Sequence, residues 1–472
     1  MADIYRARRY QPIWMSGHNL SAAGQQLFDR LASADIDGLD PDDYRLDRIQ
    51  DALDEARQGS PKAVARAEAL LTRSLLDYVR DLHRPANRKQ PAMAYIDEGL
   101  EPSPPEPRAV LAAASAGQPL GRVTRMHPVY EELRAGYAAW RKEWRDLPDL
   151  TVPSGPKLAA GSRGDRVRLL RMRLGLPSGN SFDKTVAEAV SAFNAAHGLR
   201  RSPVADARTI ALLNEPRSQQ EARIRVNLAR ARELPSIDRG RHILVDAAAQ
   251  RLYLYEGGTV SDSMKVVVGK PSDPTPMMAA FVRYAALNPY WYVPPDLAAD
   301  RIAKGVLRQG VGYLKAGGYE VLSGWDDGAR PIDPATVDWE NVAAGKVDLP
   351  VRQVPGPENM MGEMKFMFPN RFGVYLHDTP EKGLFRLADR RRSSGCVRLE
   401  DAPRLARWLF GDLPKPSGSD PEEHVPLEEP VPVYITYLTV APQSGGIAFR
   451  DDPYQRDAAM EMRFASAGRN DS

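Results

Sequence analysis

The hydrophobic pattern changes period near residue 223, and this sets two kinds of architecture in series. Before that point apolar residues recur every three to four positions. Leu70, Leu71, Leu75, Leu76, Val79 and Leu82 make one helical stripe, and Val129, Leu133, Tyr137, Trp140 and Trp144 make another. After it come short runs rich in β-branched and aromatic residues, at 242–246, 250–255 and 264–269, separated by turn residues such as Glu256-Gly257-Gly258. The chain therefore reads as an α+β multi-domain protein, and its 472 residues are enough for two to four domains.

Boundaries follow from the punctuation. Residues 1–152 read as a helical domain, and three prolines between 148 and 157 close it. A compact 157–215 segment follows. It holds a helix from Leu158 to Leu176, a second from Val186 with Gly198 as its stop, and a third over 209–213. Residues 223–455 hold the strands, interrupted at about 295–352 by a helix over 297–307, a Gly-rich run and acidic loops; 456–472 read as a C-terminal tail, polar from Ala465. Strand Pro432–Leu438 completes the sheet. The aromatic stripe on the 128–144 helix is expected to pack inside the domain, because such a stripe is an ordinary core face.

Composition removes several function classes. Sixty-four basic and 62 acidic side chains nearly cancel, so no basic surface calls for nucleic acid. No run of about 18 apolar residues exists to span a bilayer. The histidines show no metal spacing and there is no second cysteine for a thiolate site, so no metal and no organic cofactor are expected.

The chemistry concentrates in one place. Cys396 is the single cysteine, and His377 stands 19 positions upstream on a strand-like run from Phe372. A thiol becomes a strong nucleophile when a base takes its proton. Ser393, Ser394 and Gly395 precede the cysteine, and Arg392 and Arg398 bracket it with positive charge that favours the thiolate. Gly395 permits close backbone approach, so the Gly395 and Cys396 amides could line an oxyanion hole. Tyr375 lies two residues before His377, hence on the same strand face, where its hydroxyl could assist.

The run His377…Ser393-Ser394-Gly395-Cys396-Val397-Arg398 resembles the signature of L,D-transpeptidases with a YkuD-type catalytic domain. Most of that family has His where Ser394 stands, whereas the large multi-domain periplasmic (YcbB-like) branch has Ser. The flanks Pro355-Gly-Pro-Glu-Asn359, Lys365-Phe366…Phe368-Pro-Asn370 and Tyr375-Leu-His-Asp-Thr-Pro380 also resemble that branch. The resemblance implies a helical scaffold ahead of the catalytic part, a three-helix peptidoglycan-binding-like module at 157–215, a β-sandwich-like catalytic domain, and a lid at 295–352. A papain-like fold has the cysteine before the histidine, the reverse of the order here.

The resemblance further implies acyl transfer through a Cys396 thioester, with His377 as base and the Asp378 backbone carbonyl orienting its ring; the Asp378 carboxylate is the runner-up orienter. Gly395 joins Cys396, His377 and Asp378 as catalytic. Tyr375, Arg398, Ser393, Ser394 and Asn359 are the substrate-binding candidates. Expected partners are peptidoglycan stem peptides, as donor tetrapeptide and acceptor amine, and free D-amino acids, with carbapenems as inhibitors. An L,D-carboxypeptidase and a non-catalytic wall-binding scaffold stay open as alternatives. The implied compartment is the periplasm. Met1–Tyr5 shows no apolar signal core, so a leader or anchor would lie outside this sequence.

Overall fold

The computed structural model describes residues 2–84, 91–326, 328–418, 421–443 and 446–467. They form two compact units, one of residues up to 240 with 256–259 and the segment from 436, the other of residues 241–255 and 260–435.

The first unit is mainly helical. Its long helix Pro61–Leu82 starts where Ser60 accepts the Ala63 amide and Pro61 supplies a preset φ. The helix ends at Leu82. Glu68 on its buried face accepts the amides of Ile13 (2.7 Å), Trp14 (2.9 Å) and Met15 (3.2 Å) and the Tyr5 hydroxyl (2.8 Å). Asp37 accepts from Tyr78, Tyr130 and Arg134 in the same way. Each buried carboxylate has several donors, which offsets its desolvation.

The segment 157–215 contains three helices, Asp165–Arg173, Lys184–Ala196 and Ala207–Asn214. The first is shorter than the expected Leu158–Leu176, because Gly161 (φ 88°) and Gly164 (φ 111°) are left-handed and hold the chain out of the helix. Leu158 instead bridges Ala205. Asp183 and Asp206 cap the other two helices through the Val186 and Thr209 amides. Fully buried Arg173 donates to the carbonyls of Leu213 (2.6 Å) and Glu215 (3.0 Å).

Two expectations fail at the edges of the strand-bearing part. Residues Arg217–Arg232 are a helix, and the first strand of the second unit begins only at His242. The helix is buried on several faces, with Ile224, Leu228, Asn227, Arg230 and Ala231 all inside. It therefore shows no one-sided stripe to read. The expected tail is helical over Arg456–Ala467, where Asp457 pairs with Arg230 (2.6 Å) and accepts from Thr439 (2.7 Å).

The second unit is built on strands β1 His242–Asp246, β2 Arg251–Glu256, β3 Thr259–Gly269 and β4 Met278–Leu287. Three short strands follow, β5 Trp291–Val293, β6 Tyr319–Val321 and β7 Val351–Gln353. The remainder are β8 Met364–Met367, β9 Leu376–His377, β10 Arg391–Ser393, β11 Val397–Leu399 and β12 Glu423–Thr436. The main sheet runs β8-β9-β11-β3-β2-β1-β12-β4, and β4 pairs again with β8. The expected sandwich is thus one sheet closed on itself, which leaves no open edge at β4 or β8. β12 reaches further than the expected 432–438 because Glu423–Pro426 pair with the far end of β4, past a register shift before Val431.

The insertion carries its own sheet, β5-β7-β6, and its own core. Trp291, Ile302, Val306, Leu314, Trp339, Val342 and Val351 pack together, and Met360 and Met361 belong to the same cluster. It therefore spans 291–361, wider than the expected 295–352. Its first helical stretch runs Pro295–Gln309 with a π-helical segment at Ala298–Ala303.

Candidate active site

Two short strands and the turn before one of them build the site. β9 lies between β8, antiparallel (Lys365 opposite His377), and β11, parallel (His377 opposite Arg398). Leu376, Phe366 and Val397 are fully buried and point into the closed sheet. Side chains alternate along a strand, so Tyr375 and His377 share the other face with Cys396 and Arg398. The Val397 amide donates to the Tyr375 carbonyl at 3.1 Å, which extends the pairing back to Cys396. His377 and Cys396 are therefore diagonal neighbours on one face.

His377 is 2 % exposed. Its Nδ1 donates to the Asp378 carbonyl at 2.5 Å, which leaves Nε2 as the lone-pair nitrogen, without a hydrogen bond among the described residues. The Asp378 carboxylate is engaged elsewhere, with Lys382 Nζ at 2.6 Å and the Glu363 amide at 3.1 Å. Of the two candidate orienters, only the backbone carbonyl meets the ring.

Cys396 is half-buried. Its Sγ contacts the Gly373 carbonyl at 3.7 Å, and Tyr375 stands opposite it on the same face. Burial pushes the thiol up, opposed by the Tyr375 contacts and by Arg398. Burial also pulls His377 down to about 3, with Arg398 and Lys365 adding to the shift. At neutral pH the resting pair is thus a thiol beside a neutral imidazole. The expectation that flanking arginines hold the sulfur ionised does not survive, because desolvation outweighs them. Arg398 is also ion-paired with Glu381, and Arg392 is exposed.

The turn before Cys396 has a defined internal wiring. Ser393 Oγ donates to the Cys396 carbonyl (2.6 Å) and accepts the Gly395 amide (3.2 Å). Gly395 sits at φ 111°, a left-handed conformation that favours glycine, although a Cβ there would meet only Val374 Cγ2 at 3.9 Å, an ordinary van der Waals contact. Its amide is therefore not available to an oxyanion in this arrangement, whereas the Cys396 amide makes no hydrogen bond among the described residues. Ser394 is exposed.

Asn359 is not positioned to bind substrate. It is 1 % exposed, and its Nδ2 donates to the carbonyls of Pro289 (3.0 Å), Gln353 (3.1 Å) and Val354 (2.9 Å) while Oδ1 accepts the Met361 amide (2.8 Å). All of its hydrogen-bonding capacity shapes the loop. Asn370 does the same for the turn before Tyr375, and Lys365 is tied to Glu422. Two contributors carried no sequence signal. Thr275 hydrogen-bonds the Gly395 carbonyl from a distant loop, and the insertion's core packs directly on Tyr375. Neither reveals itself by spacing, because both contacts are made across more than a hundred residues or by a core with no motif.

Residues 240–433 match the family model of the L,D-transpeptidase catalytic domain, and residues 1–136 match that of a scaffold domain. A Haemophilus influenzae protein provisionally named an L,D-transpeptidase is 29% identical over 247 residues, which are 51% of this chain and 49% of that protein. The chain thus spans about half the length of this curated relative. The catalytic domain of an E. faecium L,D-transpeptidase acylated by ertapenem is 17% identical, covering 42% of this chain and 96% of that one, at a TM-score of 0.22. An L,D-transpeptidase from Mycobacterium smegmatis is 18% identical, with 42% and 59% covered, at 0.21. Those two scores are too low to bear on the fold. The match over 240–433 contains both β9 and the Cys396 turn, so the part of the chain that carries the site is the part similar to the YkuD L,D-transpeptidase catalytic domain.

Proposed function

We propose that the protein is a peptidoglycan L,D-transpeptidase acting in the periplasm, joining stem peptides through a Cys396 thioester. The observation that carries this reading is the uncommitted Nε2 of His377, held by the Nδ1 bond to Asp378 on the same face as Cys396. The donor is a stem tetrapeptide, cleaved between the diamino acid at position three and D-Ala at position four.

As Cys396 Sγ attacks the donor carbonyl, its proton moves to His377 Nε2. The neutral resting pair suits this, because no imidazolium must first lose a proton. The Cys396 amide and the Tyr375 hydroxyl supply hydrogen bonds to the developing oxyanion. The intermediate collapses with cleavage of the C–N bond, and His377 returns the proton to the leaving D-Ala amine. An acceptor amine then gives its proton to His377 and attacks the thioester, and the sulfur departs as a thiol. Thioester hydrolysis competes with that second step. The insertion, packed on Tyr375, excludes water, which favours cross-linking over L,D-carboxypeptidase action. Arg398 and the exposed Ser394 flank the entry. Free D-amino acids serve as alternative acceptors, and carbapenems acylate the thiol. The 157–215 helices position the chain on the wall polymer.

Incubation with disaccharide tetrapeptide, read by mass spectrometry, tests the reading. Cross-linked dimers with D-Ala release are expected, and Cys396→Ala abolishes them. Tripeptide monomers alone would reject transpeptidation, and unchanged product from Cys396→Ala would reject the thioester.

A further inference from the structure

Thr275 lies in the loop after β3, is fully buried, and is more than a hundred residues from Cys396 in sequence. Its Oγ1 accepts the Gly269 amide at 2.9 Å and donates to the Gly395 carbonyl at 2.8 Å. The loop is held tightly against the strand end: a Cβ at Gly269 would stand 2.1 Å from the Asp273 carbonyl. The hydroxyl therefore has one fixed orientation, with its acceptor lone pair and its proton both engaged.

The Gly395 carbonyl belongs to the same peptide plane as the Cys396 amide. In a trans peptide the C=O and N–H point in opposite directions, so fixing one fixes the other. The Cys396 amide makes no hydrogen bond among the described residues, whereas the neighbouring Gly395 amide goes to Ser393. We infer that Thr275 is a positioning residue for acyl transfer, holding the Gly395–Cys396 peptide plane so that the Cys396 amide faces the oxyanion that forms beside the sulfur. The hydrogen bond to the carbonyl also polarises the peptide and strengthens its N–H as a donor. Ser393 acts on the next peptide along, through the Cys396 carbonyl, so the nucleophile is gripped on both sides. This inference rests on the thioester mechanism proposed above and assigns one of its donors to a side chain in another loop.

Two reagents with different demands test it on the full chain. Ertapenem acylates a thiol by addition to a carbonyl, which develops an oxyanion. Iodoacetamide alkylates by displacement of iodide at a saturated carbon, which does not. Thr275→Val keeps the shape and removes both hydrogen bonds; Thr275→Ser keeps the hydroxyl. Thr275→Val is expected to slow ertapenem acylation roughly 10- to 100-fold, to leave iodoacetamide alkylation within about twofold, and to lower kcat more than it raises KM. Thr275→Ser is expected to recover acylation to within about threefold of wild type. Equal acylation by wild type and Thr275→Val overturns the inference and leaves the thioester reading intact. A matching change in both reactions also overturns it, since that marks a general disturbance of the turn. Alkylation without any acylation in wild type overturns the thioester reading, and the inference with it.

Discussion

His197 and His377 look alike by most measures and differ in one atom. Both are buried, both are pulled down to about 3 mainly by burial, and both give Nδ1 to a backbone carbonyl, Phe193 at 2.9 Å and Asp378 at 2.5 Å. His197 also accepts Trp140 Nε1 on Nε2 at 3.2 Å and stacks on Phe193 at 4.0 Å between centroids. His377 has no such partner for Nε2 among the described residues. The first ring is fully engaged and serves packing; the second keeps a lone pair for a proton. A perturbed pKa therefore does not mark function in this protein, whereas an unengaged polar atom on a shared face does. The buried carboxylates follow the same rule, since Glu68 and Asp37 are ringed by donors and have nothing left for chemistry.

The comparison breaks most readily in an activity assay. His377→Gln is expected to lower acyl transfer about a thousandfold or more with a small effect on unfolding. His197→Gln is expected to leave turnover per folded molecule within about threefold and to cost about 1–3 kcal/mol of stability by denaturant titration. Comparable loss of turnover in both would erase the distinction. Asn359→Ala extends the comparison to a committed side chain beside the site. It leaves three carbonyls and an amide without their partner, and an expected cost of about 2–3 kcal/mol should appear in the same titration.

Acid unfolding sharpens the point. Each ring has a folded pKa below its ordinary 6.5, so the unfolded chain takes the proton first as pH falls. The stability tied to each neutral ring is complete above about pH 6.5 and declines toward pH 3, by about 1.4 kcal/mol per pH unit. Glu233, pushed up to about 7 by burial, acts in the opposite sense between its ordinary 4.5 and 7. The informative quantity is thus the difference from wild type. His197→Gln and His377→Gln should each flatten the acid limb equally, although only one abolishes activity. Parallel curves for wild type and either variant would contradict the burial. The smallest effect is expected from Tyr375→Phe, which removes a hydroxyl that lowers the thiol's pKa. Iodoacetamide alkylation near pH 8 should slow by about two- to fivefold, and a faster rate would show that the hydroxyl shields the sulfur instead.

Much of the candidate site is legible in the chain itself. The solitary Cys396, the upstream His377 and the glycine before the nucleophile are chemical identities, and identity is written in the chain. Helix 128–144 was also readable, because its buried residues Leu133, Tyr137, Trp140 and Trp144 lie on one face. Helix Arg217–Arg232 was not, because burial on several faces erases the stripe that reveals a helix. Asn359 was misread as a binding residue for a related reason: a side chain's atoms do not disclose in sequence which partners they will find.

The amino-acid order thus determined which groups exist and how they alternate along short strands: a thiol, an imidazole, and a phenol two positions before the imidazole. Only the folded chain decided their state. Closure of the sheet and burial beneath the turns withdraw solvent from Cys396 and His377, so both rest neutral despite the neighbouring arginines. Charge preference in a protein depends on solvation as much as on neighbours, and solvation is a property of the packed structure.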